Sequence, residues 1–244
     1  MTVPIDAAGH RERRRPFLRA RWSNLILLTY AVPDEVVRRY LHPALDIDRW
    51  EGNAHVSLVA FDFQDTRVRG RRFPGFVNFP ELNLRTYVRH QDQAGVLFIR
   101  EFVPSRLVAL VARARYNEPY SAIAMSSRTL GKSHDLLLVE HSWRHNEADG
   151  HIRVTGPQQS ALPADRNAYP FKERRRGFGV SRRGDLVSYR VEHAEWAVRD
   201  IYQLDYRVDF AALYGQAWAF LTDAAPVQVT FAVGSSVEVF PPGR

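Results

Sequence analysis

The feature of the sequence that most constrains its fold is a stretch in which apolar and polar side chains alternate without a break. Successive side chains of a β-strand point to opposite faces, so alternation of this kind predicts a strand with two unlike faces. An acid, an amide, a guanidinium and a phenol in one row are more specific than contact with water requires. We therefore predict that the polar row lines a pocket and that the apolar row packs against a second layer. The stretch reads Pro80-Glu81-Leu82-Asn83-Leu84-Arg85-Thr86-Tyr87-Val88-Arg89.

Many other short apolar or alternating segments, separated by turn residues, predict further strands. With few helices between them, they indicate one α+β domain built on an antiparallel sheet. Residues 96–102 are the expected antiparallel partner of the alternating stretch. The other predicted strands cover residues 19–30, 55–63, 120–130, 135–144, 152–155, 179–182, 185–193, 196–208, 227–233 and 236–240.

Helices and loops are predicted from capping and turn residues. A short helix should follow Pro33, and Ser105 is a suitable N-cap for another, because its hydroxyl can accept a free backbone N–H. Residues 209–221 have the apolar spacing of a third helix. Residues 64–79 and 156–170 are expected to be loops, and Asp149-Gly150 is expected to form a hairpin turn.

The ends and the cysteine content of the chain suggest its environment. Without cysteine, neither disulfides nor thiolate metal sites can form, and we expect a cytoplasmic location. Residues 1–15 lack the apolar run of a signal peptide, and residues 25–32 are far shorter than the ~20 residues of a membrane helix. We expect residues 1–15 to be a disordered basic tail and residues 16–244 to form a single domain, with no membrane partner.

The formal net charge of +7 raises the question of nucleic-acid binding. The basic runs lie at residues 11–15, 67–72 and 174–176. Nucleic-acid binding would combine such runs with stacking aromatic residues or a recognisable reading motif. The sequence contains no zinc finger, no RNA-binding aromatic motif and no helix-turn-helix pattern. We therefore expect these runs to be solvated and predict no nucleic-acid partner.

The order and spacing of three groups of residues are those of a known family, namely Phe79 to Val88, Arg115-Tyr116 with Pro119-Tyr120 and Ala122, and Val191-Glu192-His193 with Trp196. Over residues 17–240 the chain resembles the uncharacterised YqjF-like family, and that family belongs to the acetoacetate decarboxylase-like superfamily. The resemblance implies a cone-shaped, largely antiparallel β-barrel with a few helices outside and a pocket inside.

The resemblance also bears on the chemistry. The decarboxylases of the superfamily form a Schiff base through a lysine that follows a Tyr-x-x-Pro segment. In this sequence that segment is at residues 116–119, and Tyr120 and Ser121 follow it. Lys132 and Lys172 are the only lysines of the chain, and we expect both to be solvated. Decarboxylation through a Schiff base is therefore disfavoured.

Glu81 and Tyr120 are the candidate catalytic residues. Desolvation in an enclosed site would raise the pKa of Glu81 and suit it to general acid or base catalysis; the alternative is a structural carboxylate paired with an arginine. Tyr120 takes the place that the resemblance gives to the lysine. It would donate a hydrogen bond or a proton to a carbonyl oxygen; the alternative is a packed aromatic ring.

Asn83, Arg85, Tyr87 and His193 are the candidate substrate-binding residues. Arg85 suits a carboxylate, which a guanidinium can bind through two hydrogen bonds. Asn83 and Tyr87 would hold other oxygen atoms. A hydrogen-bonded core histidine is the alternative for His193.

Two functions follow from these residues. The first is a metal-independent acid–base enzyme acting on a small carboxylate- or carbonyl-bearing compound. The second is a non-catalytic protein that binds such a compound in the same barrel. We expect no cofactor and no metal, since His141 and His145 lie too far apart along a strand to chelate one ion. A homo-oligomer is left open.

Overall fold

The computed structural model describes residues 15–110, 119–131, 135–165 and 168–242, in which strands predominate. Residues 1–14 of the predicted tail at 1–15 lie outside the described residues, as do residues 116–118 of the Tyr-x-x-Pro segment and Lys132. In chain order the strands are β1 (Leu18–Val32), β2 (Asp46–Ile47), β3 (Ala54–Val68), β4 (Phe79–His90), β5 (Gln93–Val103), β6 (Tyr120–Ala122), β7 (Ala124–Gly131), β8 (Leu136–His145), β9 (Ala148–Pro157), β10 (Arg176–Val180), β11 (Leu186–His193), β12 (Val198–Arg199), β13 (Gln203–Arg207), β14 (Gln228–Ala232) and β15 (Ser236–Val239).

Seven of these strands close into a barrel. The ring runs from β1 to β3, β4, β5, β10, β11 and β15, and β15 pairs with β1 again. These pairs are antiparallel except for β5 with β10, which is parallel. Closure removes the exposed edges of an open sheet. The prediction of an α+β domain built on a largely antiparallel β-barrel is confirmed.

A second sheet, in the order β13-β9-β8-β7, covers one side of the barrel. Leu82 and Leu84 of β4 are fully buried in one apolar cluster with residues of this sheet, among them Val139, Ile152 and Val154. The apolar row of β4 therefore packs against a second layer, as its alternation predicts. The polar row of the same strand is left facing the inside of the barrel.

The helices that lie wholly within the described residues are short. They comprise α1 (Asp34–Arg38), α2 (Phe210–Tyr214) and a 3₁₀-helix (Gln216–Leu221), and residues 106–110 are also helical. The predicted N-cap is present, because Ser105 Oγ accepts a hydrogen bond from the Val108 amide at 3.4 Å. The predicted single helix at 209–221 is divided by Gly215, whose φ of 95° ends α2. No helix in the described ranges is long and apolar enough to cross a membrane.

The loop predicted at residues 64–79 begins later than its charged residues suggest. β3 continues to Val68 because its pairing with β1 continues to the pair Leu18 and Val68. Asp65 has a φ of 50° within this pairing, next to a shift in register. Charged residues do not by themselves indicate a loop, because both faces of a strand can reach solvent near its end.

The hairpin turn predicted at Asp149-Gly150 is wrong. The turn lies at Asn146 and Glu147, with Asn146 at a φ of 55°, and Gly150 lies inside β9. Gly150 serves packing instead, because a Cβ there would come within 2.3 Å of Nε1 of Trp143. The strand predicted at residues 196–208 is also wrong as one element, since β12 and β13 belong to different sheets.

Candidate functional site

The interior of the barrel contains a chamber of about 140 Å³. Residues from all seven barrel strands line it, so it lies within the barrel. The polar row of β4 contributes Glu81, Asn83 and Arg85, which are 2%, 3% and 8% exposed. Three of the residues predicted from the alternation are therefore brought together in the chamber, and Tyr120 lines it with them.

The carboxylate of Glu81 has two hydrogen-bond donors. Nδ2 of Asn83 donates to Oε1 at 3.0 Å, and the hydroxyl of Tyr120 donates to Oε2 at 3.1 Å. Asn83 is two residues along β4, on the same strand face. Tyr120 begins β6, which runs parallel to β5 beside the chamber. The structure thus places the two candidate catalytic residues in direct contact.

Burial raises the pKa of Glu81 to about 7, and the hydrogen bonds from Asn83 and Tyr120 oppose this shift only in part. Removal of water penalises the charged carboxylate more than the neutral acid. Burial also raises the pKa of Tyr120, and the nearby charges of Glu101 and Glu81 raise it further. At neutral pH Tyr120 is therefore a protonated donor, whereas Glu81 can both take up and release a proton.

Glu101 is a second acid of the chamber that the sequence did not reveal. It is 2% exposed and lies opposite Asn83 on β5 and next to Tyr120 on β6. Val96 and Phe98 also line the chamber from β5, so strict alternation would have placed Arg100 there. A shift in register at this point of β5 reverses the parity of the strand, as a β-bulge does.

Arginines gather around the end of the polar row opposite to Glu81. Nη2 of Arg85 donates to the carbonyl of Phe171 at 3.1 Å, and Nη2 of Arg174 donates to Oδ2 of Asp48 at 3.1 Å. The two guanidinium carbons lie 5.8 Å and 5.4 Å from the centroid of the Tyr87 ring. Burial lowers the pKa of Arg174, and the nearby charge of Arg85 contributes. Arg174 was not a candidate from sequence, because its basic run was expected to be solvated.

Tyr87 and His193, two of the predicted binding residues, do not line the chamber. Tyr87 is fully buried behind the arginines, and its hydroxyl shares a hydrogen bond of 2.5 Å with Oγ of Ser57. The ring of His193 stacks on Trp196 at a centroid distance of 4.6 Å, and Trp196 is the residue that reaches the chamber. Burial lowers the pKa of His193. Both residues support the wall rather than form it.

The expectation that Lys172 is solvated is wrong. Its side chain is 3% exposed, and Nζ donates to the carbonyl of Trp196 at 2.7 Å and to Oε1 of Glu173 at 2.9 Å. Glu173 Oε1 also accepts from the amide of Trp196 at 2.6 Å. The ammonium thus holds the segment of Trp196 in place, and Lys172 does not line the chamber.

Aromatic rings form much of the remaining wall. Trp22 makes edge contacts with Phe61, Phe63 and Trp196, with centroid distances of 5.4 Å, 5.9 Å and 6.0 Å. Phe61 is directly opposite Glu81 in the pairing of β3 with β4. No group of three metal-ligating side chains occurs among the residues that the structure describes. The chamber therefore combines the polar row of β4, the acid Glu101 and the arginines Arg174 and Arg176 with a wall of aromatic and aliphatic side chains.

Comparison with known proteins gives a family match over most of the chain. Residues 19–236 match the model of DUF2071, a family described as an uncharacterized conserved protein. The uncharacterized protein YqjF of Bacillus subtilis (strain 168) is 27% identical over 187 residues, which are 75% of this chain and 75% of that protein.

Solved structures share the fold at low sequence identity. The acetoacetate decarboxylase of Legionella pneumophila has a TM-score of 0.61 and 12% identity, over 94% of this chain and 88% of that one. An acetoacetate decarboxylase-like enzyme from Sphingomonas wittichii RW1 has a TM-score of 0.62 and 14% identity, over 93% of each chain. The enduracididine biosynthesis enzyme MppR has a TM-score of 0.61 and 14% identity, over 98% of this chain and 92% of that one.

Proposed function

This chain belongs to the DUF2071 family, in agreement with the resemblance found in its sequence, and we propose that it is an acid–base enzyme. Its substrate is a small carboxylate- or carbonyl-bearing compound bound inside the barrel. Glu81 is the general acid or base, and no metal and no Schiff base take part. Proton transfer next to a carbonyl, as in aldol or dehydration chemistry, is the reaction class that these groups suit best.

The observation that carries this proposal is the state of Glu81. A general acid or base works best when its pKa lies near the operating pH. Desolvation raises the pKa of Glu81 to about 7 in a chamber that can hold a small molecule. A carboxylate kept only for structure would gain more from an arginine partner, yet its hydrogen bonds come from an amide and a phenol.

Each remaining residue of the polar row has a distinct part in the proposal. Tyr120 holds the Glu81 carboxylate and donates to a substrate carbonyl oxygen when that oxygen displaces Glu81 from the hydroxyl. Asn83 orients Glu81 through Oε1, and its own Oδ1 is buried without a protein partner in the described residues. Arg85 binds the carboxylate of the substrate, because a guanidinium fits a carboxylate with two hydrogen bonds.

The lining of the chamber supports chemistry without a Schiff base. Lysine is absent from the described lining residues, and Lys172 is engaged by Glu173 and the Trp196 carbonyl. The MppR structure contains a condensation product of pyruvate and imidazole 4-carboxaldehyde, so a barrel of this fold can hold a carbonyl acid joined to a ring. We transfer to this chain only the substrate class, a small carbonyl acid.

Exchange of carbon-bound hydrogen for deuterium tests the proposal. Proton NMR would follow a panel of 2-oxo and 3-oxo carboxylic acids in D₂O with the purified protein. We expect exchange at the carbon next to the carbonyl, and Glu81→Gln should slow it by roughly 10²- to 10⁴-fold, the usual contribution of a general acid or base. Glu35→Gln, at an exposed glutamate of α1, is the matched control and should exchange normally.

Two results would contradict the proposal. Equal exchange by Glu81→Gln and the unmodified protein would remove Glu81 from the chemistry. Binding of the acids without any exchange or turnover would instead identify a non-catalytic binding protein. Borohydride reduction in the presence of the same acids should leave the mass of the protein unchanged, and a trapped adduct on a lysine would replace acid–base chemistry by a Schiff base.

A further inference from the structure

Arg85 has a buried charge without a counter-charge in the part of the chain that the structure describes, and this indicates the charge of the ligand. Arg85 is 8% exposed, its Nε has no hydrogen-bond partner among the described residues, and its Nη2 donates to a neutral group, the carbonyl of Phe171. No carboxylate of the described residues forms an ion pair with it. An unpaired buried charge costs several kcal/mol, so proteins rarely bury one without a counter-charge. An anionic ligand in the chamber would supply that charge.

The neighbouring arginines limit how much negative charge the ligand should carry. Arg174 already has a carboxylate partner, Asp48, although its Nε is also buried without a partner. Arg176 is half-buried and donates to Oγ of Ser188, so water can still solvate part of its charge. Arg85 is thus the one fully buried guanidinium among these three, and it has no ion-pair partner within the described ranges. Because the carboxyl groups of Glu81 and Glu101 also line the chamber, a ligand with one negative charge is favoured over a dianion.

The rest of the wall defines the body of the ligand. A chamber of about 140 Å³ is close to the ~150 Å³ of an engineered apolar protein cavity that takes up benzene. Rings contribute many of its lining side chains, and rings prefer edge or offset contacts with another ring. They leave few groups to satisfy a polyhydroxylated or highly polar ligand. Ten aromatic side chains line the chamber, namely Phe17, Trp22, Phe61, Phe63, Phe76, Phe79, Phe98, Tyr120, Tyr189 and Trp196.

We propose that the chamber binds a monocarboxylate with an apolar body about the size of one six-membered ring. The carboxylate lies at Arg85, with the Nε atoms of Arg85 and Arg174 beside it, and the ring lies among Trp22, Phe61 and Trp196. This assignment names the substrate class of the acid–base site proposed above and rests on that site.

Calorimetric titration with a matched set of probes tests the proposal in the unmodified protein. Benzoate supplies the anion and the ring, benzamide has the same shape without the charge, and acetate has the charge without the ring. Biphenyl-4-carboxylate exceeds the chamber. We expect benzoate to bind at least about 10-fold more tightly than each of the other three. Benzamide lacks the charged hydrogen bonds, acetate lacks the apolar contacts of the ring, and biphenyl-4-carboxylate is too large.

Two arginine variants test whether Arg85 binds the carboxylate of benzoate. Arg85→Gln should lower benzoate affinity by about 10- to 100-fold and leave benzamide affinity unchanged, since only the charged contact is lost. Arg183→Gln, in the exposed turn between β10 and β11, removes the same charge at a distance and should have no effect. If Arg85→Gln does not fold, the comparison of benzoate with benzamide in the unmodified protein still decides.

The outcomes separate this proposal from the one on which it rests. Equal affinities for benzoate and benzamide, or tight binding of biphenyl-4-carboxylate, would overturn the ligand class even if Glu81-dependent exchange is found. Benzoate binding that depends on Arg85, in a protein without exchange activity, would support the ligand class and reject the enzyme.

Discussion

The two faces of β4 are buried to the same extent but have opposite chemistry. Leu82 and Leu84 are 0% exposed and contact the second sheet, whereas Glu81 and Asn83 are 2% and 3% exposed and line the chamber. Burying a leucine stabilises the fold by roughly 1.5–3 kcal/mol, but burying a carboxylate is unfavourable unless its charge is compensated. One strand therefore stabilises the barrel with one face and opposes its stability with the other.

This difference indicates which face is retained for function. An apolar residue at position 81 would remove the cost of desolvation, and its neighbours Phe61 and Phe79 would accept it. The polar face is also incompletely satisfied, because Asn83 Oδ1 and Arg85 Nε are buried without partners in the described residues. Such groups are expected where a ligand completes the hydrogen bonds. The following predictions test this contrast.

The largest expected effect on stability is on the apolar face. Leu84→Ala should lower the free energy of unfolding by about 2–5 kcal/mol, since it leaves a cavity between barrel and second sheet. Chemical denaturation followed by circular dichroism would measure it. Leu130→Ala, at a leucine of β7 that is 47% exposed, is the control and should change stability by less than about 0.5 kcal/mol. Equal effects of the two would mean that β4 has no buried apolar face.

The next effect concerns the polar face, where burial of the Glu81 carboxylate lowers the stability of the fold instead of raising it. The pKa of Glu81 rises on folding from its ordinary 4.5 to about 7. The folded state therefore holds the proton of Glu81 more tightly than the unfolded chain does. The stability that this protonation contributes is fully present below pH 4.5 and is lost as the pH rises through 7. A shift of this size corresponds to about 3 kcal/mol.

Glu81→Gln should not lose stability in this way as the pH rises, because its amide does not ionise. Its stability relative to the unmodified protein should therefore rise by about 3 kcal/mol between pH 4.5 and pH 8. Denaturant titrations at several pH values would measure the difference. A difference that does not change with pH would show that Glu81 ionises as freely in the folded protein as in the unfolded chain.

The smallest expected effect tests the hydrogen bond between the two candidate catalytic residues, Tyr120 and Glu81. The hydrogen bond from the Tyr120 hydroxyl to Oε2 of Glu81 lowers the pKa of that carboxyl, and Tyr120→Phe removes this bond. We expect the pKa of Glu81 to rise further, by about 1–2 units for a hydrogen bond to a charged group. Tyr206→Phe, on the second sheet, is the matched control. A pKa unchanged by Tyr120→Phe would mean that the hydroxyl does not contact Glu81.

The sequence predicted those parts of the fold and site that depend on local alternation. The unlike faces of β4, the N-cap at Ser105 and the residues Glu81, Asn83 and Arg85 follow from period-2 patterns or from capping chemistry. Glu101 could not be predicted, because a shift in register in β5 reverses which residues face inward. Such a shift is set by pairing with a neighbouring strand and leaves no mark in the composition of the segment.

Other errors have the same origin in tertiary contacts. Gly150 looked like a turn residue, yet it is required because the ring of Trp143 lies against its Cα. Lys172 is in a charged run, yet the carbonyl of Trp196 and the carboxylate of Glu173, both brought by folding, allow it to be buried. Tyr87 shares the alternation of the polar row, but Arg85 and Arg174 lie between it and the chamber.

The most direct test of the central claim is the pKa of the Glu81 side chain itself. Protein labelled with ¹³C at the glutamate carboxyl would be titrated by NMR, with Glu81→Gln identifying the signal. A polar row that faces an enclosed chamber predicts a pKa of about 7. A pKa near the ordinary 4.5 would show that Glu81 is in contact with water, and it would contradict both the enclosed chamber and the acid–base role.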